Sequence, residues 1–225
     1  VSGIYNVIYE YFLKANMVEL IDEKIKLQRE IAKTGITDIK LDIKDINYTS
    51  LLKSARKEID IFHIYGRTWI SNNADEIKRI LNNKQKKMNI RVILLDPQSK
   101  FVDGLAEFYD KDSDSLRSDM KAVICEYQKI FEYGKKIKTS SRLKVYYHNC
   151  QPSYSLYRFD NTIVSVSNKL SKGRGQHLPS VICKDSEENE DLYTAYIQEL
   201  SEIINSSKEV DFSNISTYFG EGGNK

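Results

Sequence analysis

Between Ile4 and Lys33 the chain has no proline or glycine, and its apolar residues return every three or four positions. Ile4, Val7, Tyr11, Val18, Ile21, Ile25 and Ala32 form one stripe, interrupted by the polar Lys14 and Gln28. Leu13, Met17, Leu20, Leu27 and Ile31 run beside it. Residues three and four apart share a helical face, so the spacing predicts one long helix. Two adjacent stripes make an apolar face wider than a two-stranded seam needs. That face could pack on its own domain, pair with a helix of a second copy, or lie on a membrane surface. The opposite face carries Glu10, Glu19, Asp22, Glu23 and Glu30 as well as lysines, which disfavours the membrane. Gly35, after Thr34, is placed to end the helix.

Beyond Gly35 the period changes. Ile36, Ile39, Leu41 and Ile43 read as a short strand, and Asn47 is a candidate N-cap for a helix over 48–57. Residues 59–66 read as a strand and 74–83 as an amphipathic helix. Ile90 to Leu95 is almost continuously apolar before Asp96-Pro97, the pattern of a strand buried on both faces. Helices are expected over 101–109 and 116–133, and strands over 142–148, 153–159, 162–168 and 180–184. Asp160-Asn161 is a two-residue hairpin signal. A closing helix is expected over 187–206, its acidic start complementing the positive helix N-terminus. The expected fold class is therefore α/β, a mixed, mostly parallel sheet flanked by helices. The expected organisation is a long helix over 1–34, an α/β domain over 35–208 and a polar tail over 209–225.

Composition narrows the function classes. Of 225 residues, 40% are hydrophobic and 29% charged, which supports a real core. The net charge of +2 gives no global indication of nucleic acid, although local basic patches remain open. Cys125, Cys150 and Cys183 are an odd number with no Cys-x-x-Cys spacing, so neither a disulfide framework nor a zinc knuckle is indicated. Cys183, in an apolar run, reads as buried. No apolar run is long enough to span a bilayer and no signal peptide is visible, so the expected location is cytoplasmic. Val rather than Met at position 1 suggests a piece of a longer protein with an upstream domain.

Three stretches carry a resemblance to a known family. They are Leu51 to Ile61, a helix leading into a strand; Ile90 to Pro97; and Tyr154 to Asn161 followed by Val164 to Asn168. Over roughly residues 35–206 the chain resembles the phospholipase D-like superfamily, in particular its divergent bacterial members. The family's signature is H-x-K-x4-D. Its His attacks phosphorus, its Lys offsets phosphate charge, and alternation along a strand brings the two together. Asp160 matches the Asp, whereas Ser153 stands at the His position and Ser155 at the Lys position. The residues two after His63, His148 and His177 are Tyr65, Cys150 and Pro179, so no other register restores the motif.

The resemblance therefore implies a pocket without its nucleophile. Its candidate ligand-binding residues are Ser153, Ser155, Asp96, Asn168 and Arg174, with no catalytic residue, metal ligand or cofactor expected. Each has a plainer reading. Ser153 and Ser155 could be small strand residues, Asp96 a cap for the next helix, and the Gly- and Arg-containing loop 171–177 a surface loop. Asp160 reads as a turn stabiliser, His63 as a core histidine, and the lysine runs 84–87 and 135–138 as solvated turns. Three functions stay open: a binding, sensor or regulatory module for a phosphate-bearing small molecule or nucleotide, within a larger bacterial signalling or defence-type protein; a nuclease or phosphodiesterase using other residues; and an oligomerisation domain. A homodimer is the expected assembly.

Overall fold

The computed structural model describes residues 2–151, 153–169, 172, 177–186 and 190–213. An eight-stranded sheet runs through it. The strands are β1 (Ile36–Lys40), β2 (Glu58–His63), β3 (Asn89–Leu95), β4 (Arg142–His148), β5 (Tyr154–Phe159), β6 (Thr162–Ser167), β7 (Ser180–Lys184) and β8 (Lys208–Glu209). Their order is β1-β7-β6-β5-β2-β3-β4-β8. β2, β3 and β4 are parallel, and every other pairing is antiparallel. The helices are α1 (Ser2–Lys33), α2 (Tyr48–Ser54), α3 (Arg67–Asn82), α4 (Phe101–Phe108), α5 (Ser113–Lys136) and α6 (Leu192–Ser206).

Alternation along the strands feeds two cores. Ile59, Ile61, Val92 and Val145 point to one face, where they meet Leu52 of α2, Ile77 of α3 and Tyr127 of α5. Phe62, Ile93, Leu156 and Ile163 point to the other, under Tyr193, Leu200 and Ile203 of α6. β3 is apolar on both faces because it is central and covered twice. A smaller cluster of Leu95, Val102, Ala106 and Met120 joins α4 and α5 to the carboxyl ends of β2 and β3. The mixed α/β sheet flanked by helices is as expected, but its parallel part is confined to β2, β3 and β4, and five of its seven pairings are antiparallel because the late hairpin strands and the short edge strands return alongside their neighbours.

Several boundaries differ from the sequence reading. α3 begins at Arg67, not Ala74, because Gly66 in the left-handed region (φ 64°) turns the chain straight from β2 into it. α6 begins at Leu192, because Asp191 takes the cap and accepts the Thr194 N–H at 2.7 Å. β8 straddles the boundary expected between domain and tail, and beyond it Val210 and Phe212 pack against the core. Asn47 does cap α2, accepting the Ser50 N–H at 2.9 Å.

Over the residues whose side chains are described, α1 stands away from the domain core. Its side chains from Tyr11 to Lys33 are all exposed, including Tyr11 at 72% and Val18 at 66%. No helix among the described residues is long and apolar enough to cross a membrane.

Candidate ligand cleft at the carboxyl ends of the strands

The two serines stand at the start of β5. Ser155 is buried, whereas Ser153, just before the strand, is exposed. β5 pairs with β2 so that Tyr157 faces Ile61 and Leu156 faces Phe62. Continuing that register sets Ser155 beside His63 on the α3 side of the sheet. The space over them is filled by aromatic rings. Trp69 stacks on Tyr157 at 5.7 Å and 24°, and His63 stands edge-on to both at 6.1 and 5.9 Å. Tyr48 adds a fourth ring 4.9 Å from Tyr157. Burial raises the Tyr157 phenol above its ordinary value, while the Tyr48 and Ser155 hydroxyls beside it pull the other way.

This environment decides what His63 can do. Nδ1 and Nε2 are both buried without a hydrogen-bond partner among the described residues. Burial, reinforced by the charge of His148, holds its pKa down at about 3. A methyl group at Gly66 would overlap the imidazole, so the ring is pinned. A general base needs an accessible nitrogen within reach of the proton it removes; His63 is a core histidine. His148 lies on the α6 side, 4.8 Å from Phe62, and its Nδ1 accepts the Cys150 N–H at 3.2 Å. Burial holds it at about 4. His177 is exposed and pairs with Asp42 at 2.6 Å.

The matched aspartate has a structural task. Asp160 sits in the β5–β6 turn with φ 52°. Its carboxylate accepts the backbone N–H groups of Arg56, Lys57 and Glu58 at 2.6, 2.8 and 2.8 Å. Partial burial alone would raise its pKa; these bonds, with the Arg158 charge, bring it below the ordinary carboxylate value. Asp96 follows β3 and accepts the Gln98 N–H at 2.8 Å, shaping the turn into α4. The Asn168 backbone N–H donates to the Ser153 carbonyl at 3.2 Å. Arg174 lies outside the described residues.

Beside Ser153 and Asn168 the surface opens. A cleft of about 230 Å³ is lined by Tyr65, Thr68, Tyr109, Lys111, Asn168 and Lys169, with Phe108 and Leu178 completing the wall. Tyr65 and Tyr109 meet edge to face at 6.4 Å. Burial, with Tyr65 alongside, pushes the Tyr109 phenol up to about 12, so it stays a neutral donor. Lys111, paired with Asp119, also lines an adjoining groove that carries Glu107, Asp110 and Asp112 as well as Ser115 and Lys172. Of the five candidate ligand residues, Asn168 lines this cleft. Ser153 adjoins it through the Asn168 hydrogen bond, and Ser155 is enclosed by rings. Lys111 and Lys169 were missed by the sequence reading. Lys169 follows the motif's trailing Asn168 directly, a readable signal, whereas Lys111 sits in an interhelical loop that only tertiary structure brings there.

No protein-family model matches the chain, and no curated protein matches it in sequence. Solved structures resemble it at low identity. One is phosphatidylserine synthase of Haemophilus influenzae Rd KW20, with a TM-score of 0.51 and 15% identity over 76% of this chain and 39% of that chain. Another is TrmBL2, an archaeal chromatin protein, with a TM-score of 0.46 and 12% identity over 90% of this chain and 67% of that chain. The synthase belongs to the phospholipase D-like superfamily. At this identity the likeness to the synthase shows a shared fold alone.

Proposed function

We propose that this chain is a non-catalytic phospholipase D-like module that binds a small phosphate-bearing molecule, a nucleotide or sugar phosphate, in the cleft beside Ser153. The observation that carries this reading is the joining of Lys111, Lys169 and Asn168 to a tyrosine wall within about 230 Å³ at the carboxyl ends of the strands. α/β folds commonly take ligands at that end. The Lys169 ammonium, with Lys111 held beside it by Asp119, suits a phosphate, and the rings of Tyr65 and Tyr109 suit a base or sugar face. The non-catalytic half rests on Ser153 and Ser155 at the motif positions and on His63, sealed under Gly66 with a depressed pKa.

The module's proposed assembly is a homodimer formed through α1, giving a regulatory domain in which that helix joins the two copies. Thermal-shift and calorimetric titration with nucleoside monophosphates, sugar phosphates and inorganic phosphate tests the cleft. Binding should be lost in Lys169→Ala and kept in Lys84→Ala, whose side chain is exposed before β3. A panel that never binds, or that binds Lys169→Ala unchanged, would overturn the cleft assignment. Steady turnover of a phosphodiester substrate, abolished by a cleft substitution, would overturn the non-catalytic half.

A further inference from the structure

The chain is almost neutral overall, yet its cations are not evenly spread. Segments 53–57, 82–88 and 134–142 contain Lys53, Arg56, Lys57, Lys84, Lys86, Lys87, Lys135, Lys136, Lys138 and Arg142, and no Asp or Glu. Each segment leads into one of the parallel strands β2, β3 and β4, so all three lie at the same edge of the sheet. They also touch. Lys86 Nζ donates to the Ala55 carbonyl at 2.9 Å, Ser141 Oγ to the Lys86 carbonyl at 3.3 Å, and the Arg142 N–H to the Met88 carbonyl at 2.8 Å. Adjacent strands lie about 4.8 Å apart, so the three segments form one continuous ridge. Nine of the ten cations are exposed; Lys86 is half-buried.

Of the acidic groups nearest this ridge, Glu58 and Glu209 pair with cations outside it, whereas Glu132 offsets one ridge cation and Asp160 keeps its charge at the ridge's edge. Asp160 accepts three backbone N–H groups, Glu58 pairs with Arg158 at 2.6 Å, Glu132 with Lys135 at 3.7 Å, and Glu209 with Lys144 at 2.7 Å. Between α5 and β4 the ridge also holds a depression of about 320 Å³, with Lys135, Lys138, Arg142 and Lys144 on its rim.

From this geometry we infer that the amino-terminal edge of the parallel strands is a binding surface for the phosphate backbone of double-stranded nucleic acid. Its chemistry is that of repeated, spaced anions. Single strands are bound largely by stacking bases on aromatic rings, and the ridge segments contain no Phe, Tyr or Trp. A membrane would be met through apolar side chains beside the lysines, but Met88 is buried and Ile137 is half-buried in the core. A duplex backbone needs only the cations. The near-neutral total hides this polarity because the rest of the chain is net acidic. The surface lies at the opposite end of the strands from the cleft and does not depend on the ligand proposed there.

Fluorescence anisotropy with a labelled duplex of arbitrary sequence, about 20 base pairs long to exceed the ridge, tests the inference on the whole chain. Binding should appear at about 50 mM salt and weaken by two orders of magnitude or more at about 200 mM, as release of several counterions requires. Lys84→Glu with Lys87→Glu and Lys136→Glu should reduce it at least about tenfold. All three side chains are exposed, so the melting temperature should hold. Lys100→Glu, exposed at the start of α4, should leave binding unchanged. No binding at low salt, or binding indifferent to the triple reversal, would overturn the inference. So would retention on vesicles containing phosphatidylserine with none on the duplex.

Discussion

Asp160 and Glu58 are clasped across two strands: the Glu58 N–H donates to the Asp160 carboxylate at 2.8 Å, and the Asp160 N–H donates to the Glu58 carbonyl at 2.9 Å. With the Arg56 and Lys57 N–H groups on the same carboxylate, one side chain closes the turn before β2 against the β5–β6 hairpin. Hydrogen bonds to a charged acceptor contribute roughly 1.5–3 kcal/mol each when buried, and this site is only partly buried, so water offsets much of the loss. Asp160→Ala should cost about 2–4 kcal/mol by denaturant unfolding. Asp160→Asn, which tolerates the left-handed backbone, should cost less. A variant as stable as the parent would show the clasp to be dispensable.

Acid should destabilise the fold before its carboxylates titrate. His63 is held at about 3 and His148 at about 4, both by burial, against roughly 6.5 in an unfolded chain. Between these values the unfolded state binds more protons, so stability is full above about pH 6.5 and falls as pH is lowered through the folded values. The slope should reach about 1.4 kcal/mol per pH unit for each histidine. His63→Leu should remove one such contribution from the slope between about pH 6.5 and 4, whatever it does to stability at neutrality. Unfolding curves across that range, with the slope unchanged in the variant, would contradict the burial argument.

What was legible in the sequence was what local pattern encodes. The apolar run Ile90 to Leu95 has the pattern of a doubly covered strand, Asp160-Asn161 marked the hairpin, and Asn47 and Gly35 marked helix ends. α3 was read seven residues short because no side chain caps it; its start is a left-handed glycine whose role appears only once His63 lies beneath it. β8 is two residues paired to Tyr146 and Tyr147, too short for any period. The Ser155 environment was equally hidden, since Trp69, Tyr48 and His63 reach it from three other elements. The lysine runs at 84–87 and 135–138 were visible singly as solvated turns, and the parallel register of β3 and β4 makes them neighbours.

Gly66 and His63 should be coupled. A side chain at Gly66 meets both a left-handed backbone and the imbedded imidazole. The backbone alone costs about 1 kcal/mol, and overpacking a filled core adds about 1–3 kcal/mol. Gly66→Ala should therefore destabilise the parent by about 2–4 kcal/mol, but a His63→Ala background by only about 1 kcal/mol. A double-mutant cycle measures the difference. Equal costs in both backgrounds would mean that the ring moves aside freely.

α1 supplies the remaining prediction. Phe12, Val18, Leu20, Ile21 and Leu27 are each more than half exposed on a helix about 48 Å long. Scattered exposed apolar residues are ordinary on a monomer, whereas a contiguous apolar face marks an interaction surface, and eleven large apolar side chains of α1 between Tyr9 and Ile31 are exposed. A second copy is the occupant that the charges favour. Between residues 11 and 33 the helix carries five cations and four anions, interspersed, and an isologous interface sets identical surfaces against each other, which a single-sign helix would resist. The parent should sediment as a dimer at roughly 10–100 μM, the range in which micromolar association is populated. Ile21→Asp with Ile25→Asp should give a monomer whose core melts as before, because these side chains leave the domain untouched, while an unpaired carboxylate in the seam costs several kcal/mol. A cysteine at position 21 should cross-link two copies under oxidation. A parent that stays monomeric in that range, or a dimer that survives both aspartates, would assign the face to another partner.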